Sequence, residues 1–238
     1  MTISFLQAKH GDCIHICHNG KNVIIDSGTP DSDAFPRVVE EVKARGQQVD
    51  LLVITHYDYD HIGGVFVMDP KNWEIVDKVW FNSAQRVMPA VNKDGYLSIR
   101  QANSMQSALK TFHVNWDREL MRGKVFELGD NWSLKILYGG YDKALDKAGE
   151  FLSSPKCDWN ATFEELGHYL DDKVLDTTDV NASSIVLLLT NDEHNYLLPG
   201  DSTPQVLLDA LSDYSETNPL HLDLLKLPHH GSYKNITH

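Results

Sequence analysis

Short apolar runs separated by turn residues fill the first quarter of the chain. They predict three strands: Thr2–Ala8, Cys13–His18 and Lys21–Ile25. The second and third strands flank Asn19-Gly20, a pair that favours the tight turn of a hairpin. Further along, apolar residues recur at helical spacing from Phe35 to Val42, and Gly46 ends the pattern. We therefore predict a hairpin-containing sheet followed by a helix.

The elements beyond residue 50 are less regular. Leu51–Thr55 is apolar without alternation, which is typical of a strand buried on both faces. Further strands are predicted at Val79–Phe81, Val125–Leu128, Ser133–Tyr138, Ser184–Leu189, Tyr196–Leu198 and Leu222–Leu227. Helices are predicted at 96–115 and 204–211. Residues 139–180 are polar and weakly patterned, so we interpret them as an insertion or lid within a single domain that spans 1–238.

Composition and charge exclude several classes of protein. The 238 residues include 21 Lys and Arg against 34 Asp and Glu, and this formal net charge of -13 excludes a diffusely basic nucleic-acid binder. The chain has no run of about 18 apolar residues, so no membrane span or membrane partner is predicted. Three cysteines are too few for a disulfide framework, and the first residues do not resemble a secretory signal. We therefore expect a cytoplasmic protein.

Residues 55–64 concentrate metal-ligand side chains directly after the predicted buried strand. Four potential ligands lie within six residues: His56, Asp58, Asp60 and His61. In extended backbone alternate residues face the same side, which groups the first three, and a turn at Asp60 adds His61. Imidazole and carboxylate without a nearby thiolate suit zinc, manganese or iron, and they argue against a structural zinc site.

Two later strands also end in ligand-type side chains. The strand Tyr196–Leu198 leads into Gly200-Asp201, and the strand Leu222–Leu227 leads into His229-His230. By itself, Asp201 would suit the N-cap of the following helix. Three strands that all end in potential ligands predict instead one composite metal site at the rim of a sheet.

The combined pattern resembles the metallo-β-lactamase superfamily. The superfamily signature is His-x-His-x-Asp-His, and here Asp58 stands at its second histidine. That departure resembles one branch, the hydrolase domain of the DNA-uptake protein ComEC and its soluble relatives. The motifs that carry the likeness are Gly11-Asp12, Asp26-Ser27-Gly28, the run 56–64, the run 181–186, Gly200-Asp201 and the run 226–232. They cover nearly the whole chain except 139–180.

The resemblance implies an αββα sandwich with two mixed β-sheets, helices outside, and two divalent ions, Zn²⁺ or Mn²⁺, at one edge. The metal ligands that it implies are His56, Asp58, Asp60, His61, Asp201 and His229. Asp201 is the natural bridging ligand, because its carboxylate has two oxygens. His229 is preferred over His230 since it is nearer the strand end, and His230 would then face the substrate, but the two roles are exchangeable. Asp60, Asp201 and His230 are the predicted catalytic residues.

Residues around the ligands have predicted supporting roles. We expect Asp26 to brace the ligand loop through hydrogen bonds, as groups behind metal ligands do. Lys226 would either neutralise a substrate phosphate or be a solvated strand lysine. Asp12 is predicted to be structural. We expect surface positions for His10, His15 and His18.

The superfamily's separate third-motif histidine has no obvious counterpart here. The intervening histidines are His113, His168 and His194, and none has a convincing context. The first metal would then be held by His56, Asp58 and Asp201 alone, an oxygen-rich set that favours manganese.

The leading functional hypothesis is a metal-dependent phosphodiesterase or nuclease that acts on DNA or nucleotides. The alternatives are a metallo-hydrolase of a small ester, lactone or thioester, and a non-catalytic interaction module. The net charge opposes tight unaided binding to DNA, so a small nucleotide substrate or a basic partner is expected. The branch normally continues with another strand and helix after His-His-Gly-Ser. Either further residues or a partner protein that also supplies positive charge should cover the edge beside Leu222–Leu227.

Overall fold

The computed structural model describes residues 1–82, 105–117, 120–140 and 179–236. In these ranges the first sheet has the strand order β1-β2-β3-β4-β5-β6. Its strands are β1 Thr2–Phe5, β2 Ile14–His18, β3 Lys21–Ile25, β4 Leu51–Ile54, β5 Lys78–Phe81 and β6 Asn115–Asp117. The pairs β1-β2 and β2-β3 are antiparallel, whereas β3, β4, β5 and β6 run parallel to one another. The sheet is therefore mixed.

The second sheet has the order β11-β10-β9-β8-β7. Its strands are β7 Val125–Gly129, β8 Trp132–Tyr138, β9 Val186–Thr190, β10 Asn195–Leu198 and β11 Leu224–Leu225. The β10-β11 pair is parallel and the remaining pairs are antiparallel. The α-helices that have defined bounds are α1 Ala34–Ala44, α2 Tyr59–Ile62, α3 Asp179–Ala182 and α4 Pro204–Ala210. Residues 105–111 are also helical. Four short 3₁₀ segments lie at Gly63–Phe66, Pro70–Ile75, His229–Gly231 and Tyr233–Asn235.

Alternation along the strands separates the layers of the fold. In β4, Leu51 and Val53 join the core between the two sheets, whereas Leu52 and Ile54 join the core beneath α1. Each fully buried aliphatic side chain of this kind contributes about 1.5–3 kcal/mol. On the other side, Val206 of α4 packs against the outer face of the second sheet. Helix, sheet, sheet and helix follow one another, so the predicted αββα sandwich with two mixed sheets is confirmed.

Several predicted element bounds are wrong. β1 ends at Phe5 rather than at residue 8, because Leu6 N already donates to Cys13 O at 2.9 Å and the chain then turns. The predicted strand Leu222–Leu227 pairs only at Leu224–Leu225. Residues 105–111 lie within the predicted helix 96–115, but β6 takes over at Asn115. Of that helix, 96–104 lies outside the described residues.

Two further sequence-based expectations concern regions at the margin of the described structure. Most of the predicted insertion 139–180 lies outside the described residues, which resume at 179. The partner expected beside Leu222–Leu227 stays a prediction, and Leu225 and Leu227 in this segment are about half exposed. Among the described helices, none combines the length and apolar character that a membrane span requires.

Candidate metal centre

Four strand ends converge on one edge of the sandwich. β3 and β4 are parallel, so Asp26 and the Thr55-His56 pair follow them at the same edge. β10 and β11 are also parallel, which brings Asp201 and the 226–230 segment together. The two edges meet closely, because a Cβ added at Gly200 would lie only 3.1 Å from Thr55 Cβ. The loops after these strands therefore form one site.

His61 is the most tightly held imidazole of the site. It lies in α2, is fully buried, and its Nδ1 lies 2.8 Å from Asp26 Oδ2. Asp26 also accepts hydrogen bonds from Thr55 N at 2.7 Å and Thr55 Oγ1 at 2.8 Å. A carboxylate behind one ring nitrogen fixes the tautomer and leaves the other nitrogen for a metal. Nε2 of His61 therefore faces the interior of the site.

Asp201 lies at the centre of the histidines. Its Oδ2 is 3.3 Å from His61 Nε2, 3.3 Å from His230 Nε2 and 4.0 Å from His229 Nε2. Burial alone would raise the pKa of Asp201, but the charged His61 and the hydrogen bond from His230 outweigh it, so the pKa is strongly lowered. The carboxylate is therefore ionised, as a bridging or central ligand must be.

His230 and Asp60 complete this group from the open side. His230 Nε2 lies 3.2 Å from Asp60 Oδ2, and His230 has a left-handed backbone with a φ of 52°. Burial raises the pKa of Asp60, but the hydrogen bond from His230 and the charge of His61 together lower it. The structure thus places His230 in the position of an inward-facing imidazole, the role for which the strand-end argument preferred His229.

His56, Asp58 and His229 are less closely assembled. His56 Nε2 is 3.8 Å from Asp58 Oδ2, and the ring centroids of His56 and His61 are 4.2 Å apart. Asp58 precedes α2 and its side chain is one-third exposed. His229 Nδ1 contacts Asn235 Oδ1 at 3.0 Å and Asn181 Nδ2 at 3.3 Å, which turns its Nε2 toward Asp201.

The structure adds Asp12, a residue that the sequence analysis treated as structural. Oxygen or nitrogen atoms of four described side chains lie within 4.8 Å of one another: Asp12, His61, Asp201 and His230. Asp12 also forms an ion pair with Lys226 Nζ, which in addition donates to Gly200 O at 3.0 Å. The ammonium group of Lys226 is thus engaged by protein oxygens rather than solvated. The Gly11-Asp12 turn in the branch resemblance was the only sequence signal for this residue.

The residues fit a divalent cation. Nε2 of His56 and Nε2 of His61 are buried, and neither has a hydrogen-bond partner among the described residues. A buried polar atom without a partner is costly, and bound metal ions would satisfy these two nitrogens. The donor set is imidazole and carboxylate, which suits Zn²⁺ and Mn²⁺. His61, Asp201 and His230 would hold the ion.

Metal binding should release protons, because two of these histidines are protonated without metal. Burial lowers the pKa of His61, but Asp26 and Asp201 raise it well above 6.5. For His230 the carboxylates of Asp12, Asp201 and Asp60 likewise outweigh burial and raise the pKa to about 11. Only unprotonated imidazole binds a metal, so raising the pH favours binding by about 10- to 100-fold per pH unit near neutrality. Titration calorimetry in two buffers of different ionisation enthalpy should give about two protons released; a count of zero would contradict this assignment.

The other histidines lie apart from this group. The expected surface positions of His15 and His18 are wrong: both are buried, His15 with its Nε2 3.1 Å from Asn22 Oδ1 and His18 against Trp132. His10 is exposed and contacts the hydroxyl of Tyr59. His194 stacks on Trp132.

Among the described residues, no third-motif candidate joins the site. His113 is exposed in the turn after the helical residues 105–111, and His168 lies outside the described residues. Neither His113 nor His194 belongs to the group of metal-ligand atoms found in the described part of the chain.

Comparisons with known proteins found one matching family model and several similar solved structures. The family model of the metallo-beta-lactamase superfamily matches residues 7–80, which include Asp12, Asp26 and the ligand segment. Similar solved structures include a metallo-beta-lactamase from Cronobacter sakazakii, with 12% identity, 92% of this chain and 74% of that chain covered, and a TM-score of 0.46. Another is the subclass B3 metallo-beta-lactamase MEM-A1 from a soil metagenome library, with 12% identity, 94% and 75% coverage, and a TM-score of 0.45.

A third structure is a putative metallo-beta-lactamase from Thermotoga maritima, with 14% identity, 84% and 70% coverage, and a TM-score of 0.39. No curated protein sequence matches the chain. The family model thus covers about a third of the chain, the part that contains β2 to β4, most of β5 and the segment 56–64.

Proposed function

We propose that the chain is a metal-dependent hydrolase that cleaves phosphodiester bonds in DNA or nucleotides. The observation that carries the proposal is the convergence of Asp12, His61, Asp201 and His230 within 4.8 Å of one another at the ends of four strands. A bound divalent cation would supply Lewis-acid activation of a phosphoryl group and of water. The open side of the group, beside Asp60 and His230, is where a substrate would enter.

The chain's own residues would hold and orient the reacting groups. His61 and Asp201 are buried and fixed by hydrogen bonds, so they provide the rigid part of the site. Asp60 stays ionised and lies on the open side, where it orients the attacking water. His230 carries a proton in the metal-free protein and lies 3.2 Å from Asp60. If His229 were the ligand in its place, His230 would face the substrate.

We infer that two divalent ions, Zn²⁺ or Mn²⁺, bind with unequal strength. The tight ion would lie among His61, Asp201 and His230, where the ligand atoms are already assembled. The weaker ion would lie between His56, Asp58 and Asp201, where the His56 to Asp58 distance is 3.8 Å and no third-motif histidine is evident in the described residues. His229, whose Nε2 is 4.0 Å from Asp201 Oδ2, is the nearest imidazole that could complete this second set.

Two features support a phosphodiester substrate over a lactone, thioester or other small ester. The first is the aspartate at position 58, which resembles the branch of the DNA-uptake hydrolases. The second is a pair of exposed tyrosines close to ligand residues in the chain: Tyr59 precedes Asp60 and is 41% exposed, and Tyr233 follows His230 by three residues and is 43% exposed. Nucleobases stack on such side chains. Lys226, held by Asp12 and Gly200, is not available to a phosphate.

The net charge of the chain favours small nucleotide substrates over polynucleotides. A net charge of -13 opposes tight binding to a polynucleotide, because phosphate contacts need Lys and Arg. We therefore expect the isolated chain to act on short nucleotides better than on duplex DNA. A basic partner protein would shift this preference toward DNA.

A substrate panel tests the proposal. The zinc- or manganese-loaded protein would be incubated with single-stranded DNA, duplex DNA, a cyclic dinucleotide, an aryl phosphodiester, a lactone and a thioester. We expect hydrolysis of the phosphodiesters and loss of that activity in Asp201→Asn. Hydrolysis of the lactone or thioester alone would favour the alternative metallo-hydrolase. Metal binding without hydrolysis of any member would favour the non-catalytic interaction module.

Asp58→His should change the metal preference of the weaker site. The substitution replaces a carboxylate with an imidazole, which makes the site softer and less negative, so Zn²⁺ should gain on Mn²⁺ by about 10-fold in relative affinity. Competition titrations of wild type and Asp58→His with both metals measure the ratio. An unchanged ratio would mean that Asp58 is not a ligand and would remove the chemical basis of the branch assignment.

A further inference from the structure

His230 has carboxylates at both of its ring nitrogens. Its Nε2 faces Asp60 at 3.2 Å and Asp201 at 3.3 Å, and its Nδ1 lies 3.5 Å from Asp12 Oδ1. His61 is arranged in the same way, with Asp26 behind its Nδ1 and Asp201 in front of its Nε2. A ligand histidine needs an acceptor on the nitrogen that does not bind the metal. For His230, Asp12 occupies that position.

The Gly11-Asp12 turn directly contacts the segment that carries Asp60 and His61. Asp12 N donates to Asp60 O at 3.2 Å. A Cβ at Gly11 would lie 1.9 Å from the same carbonyl oxygen, so only glycine allows this close approach. The position of the Asp12 carboxylate is therefore fixed relative to the Asp60 and His61 side of the site.

The segment that carries His229 and His230 needs contacts that hold its position. His229 and His230 both have left-handed backbone, with φ values of 46° and 52°, which is unfavourable for residues other than glycine and persists only when the surroundings hold it. The short strand β11 pairs with β10 over only two residues. Asp12 contacts this segment twice, through the Lys226 ammonium group and through the His230 ring.

We propose that Asp12 is the positioning residue of His230: it holds the Nδ1 side of the ring so that Nε2 is presented to the cation. This role rests on the proposed metal site, but it does not depend on which substrate is hydrolysed. Lys226 adds a second contact to Asp12, an ion pair, and its ammonium group also donates to Gly200 O after β10. The Gly11-Asp12 turn thus connects the first sheet to the last ligand segment.

Two double variants of equal charge distinguish the effect of Asp12 on the orientation of the His230 ring from the effect of its negative charge. Removing Asp12 alone would leave the Lys226 ammonium group, among the described residues, with only its 3.4 Å ion pair to Asp201 Oδ1 and so change the charge balance at the site, so both charges are removed together in Asp12→Ala/Lys226→Gln. The matched variant Asp12→Asn/Lys226→Gln has the same charge but keeps an oxygen that can accept from His230 Nδ1. Asp223→Asn is the control outside the site, since Asp223 lies 3.4 Å from His194 Nδ1. Zn²⁺ affinity of the full chain is measured with a competing chelator, and ¹⁵N NMR of the zinc-loaded protein reports the tautomer of His230.

We expect the Ala variant to bind Zn²⁺ about 10- to 100-fold more weakly than wild type, with the His230 signal no longer that of a ring bound through Nε2. The Asn variant should recover most of the affinity and the wild-type tautomer, and Asp223→Asn should match wild type. Equal affinities in the Ala and Asn variants, whether high or low, would overturn the positioning role. Failure of the wild-type chain to bind Zn²⁺ would instead reject the metal site itself, and with it this inference.

Discussion

Replacing Asp201 with Asn is expected to remove both metal binding and hydrolysis. Asp201 Oδ2 lies within 4.0 Å of three imidazole nitrogens, whereas Asp60 Oδ2 reaches only two of them within this distance. Substitutions behind metal ligands already weaken binding by about 10- to 100-fold, and loss of this central ligand should exceed about 100-fold. The rate of phosphodiester cleavage should fall by about 1,000-fold or more, since the charge stabilisation of the site is lost.

Metal content and thermal unfolding measure the effect of Asp201→Asn. After metal loading and gel filtration, the wild type should retain the ion and the variant should not. At a free metal concentration 100 times the dissociation constant, binding stabilises the folded wild type by about 2.7 kcal/mol, and this shift should be absent in the variant. Asp192→Asn is the control, because Asp192 is an exposed carboxylate in the turn between β9 and β10. Full metal retention by Asp201→Asn would contradict the central position of Asp201.

Asp26→Ala should cause the largest loss of stability of any single change at the site. Asp26 is 1% exposed and accepts hydrogen bonds from Thr55 N, Thr55 Oγ1 and His61 Nδ1. The substitution leaves these donors buried without an acceptor and breaks a buried pair, which costs about 3–5 kcal/mol of unfolding free energy. Because Asp26 also has a left-handed backbone with a φ of 59°, alanine adds about 1–2 kcal/mol of strain.

Chemical denaturation of the metal-free protein measures this loss. Asp26→Asn is the matched variant, because asparagine tolerates left-handed backbone and keeps one acceptor oxygen. We expect the Asn variant to lose less unfolding free energy than the Ala variant, while both lose metal affinity because His61 is no longer held. Unfolding free energies within about 1 kcal/mol of wild type in both variants would show that Asp26 does not support the ligand loop.

The periodicity of the sequence predicted strands with helices between them, whereas the order of the four layers was implied by the family resemblance. The helical spacing in α1 follows from the positions of the apolar residues, but the run in β4 has no alternation in sequence, so the two cores that its faces join were not visible there. The pattern failed where a strand is short or polar. β6 is Asn-Trp-Asp, which has no apolar alternation, and its place in the sheet depends on parallel pairing with β5. β11 is reduced to two paired residues because the chain then turns toward the site.

The ligand residues at the strand ends were visible in the sequence, but their mutual arrangement was not. The segment 56–61 indicates metal binding from sequence alone, since four potential ligands, two His and two Asp, lie within six residues. The choice between His229 and His230 depends on contacts in three dimensions, because His230 Nε2 lies 3.3 Å from Asp201 Oδ2 and His229 Nε2 lies 4.0 Å from it. Asp12 was missed because its partners, Lys226 and His230, are more than 200 residues away in the chain.

The most direct test of the account is the position of a bound ion. Crystals of the protein soaked in Mn²⁺ and measured with anomalous scattering would locate it without reference to any substrate. The account predicts a strong peak at about 2.0–2.3 Å from His61 Nε2, Asp201 Oδ2 and His230 Nε2. A second, weaker peak is expected beside His56 and Asp58. An ordered site with no peak between these residues, at metal concentrations that saturate other Mn²⁺ enzymes, would contradict the assignment of this edge as a metal centre.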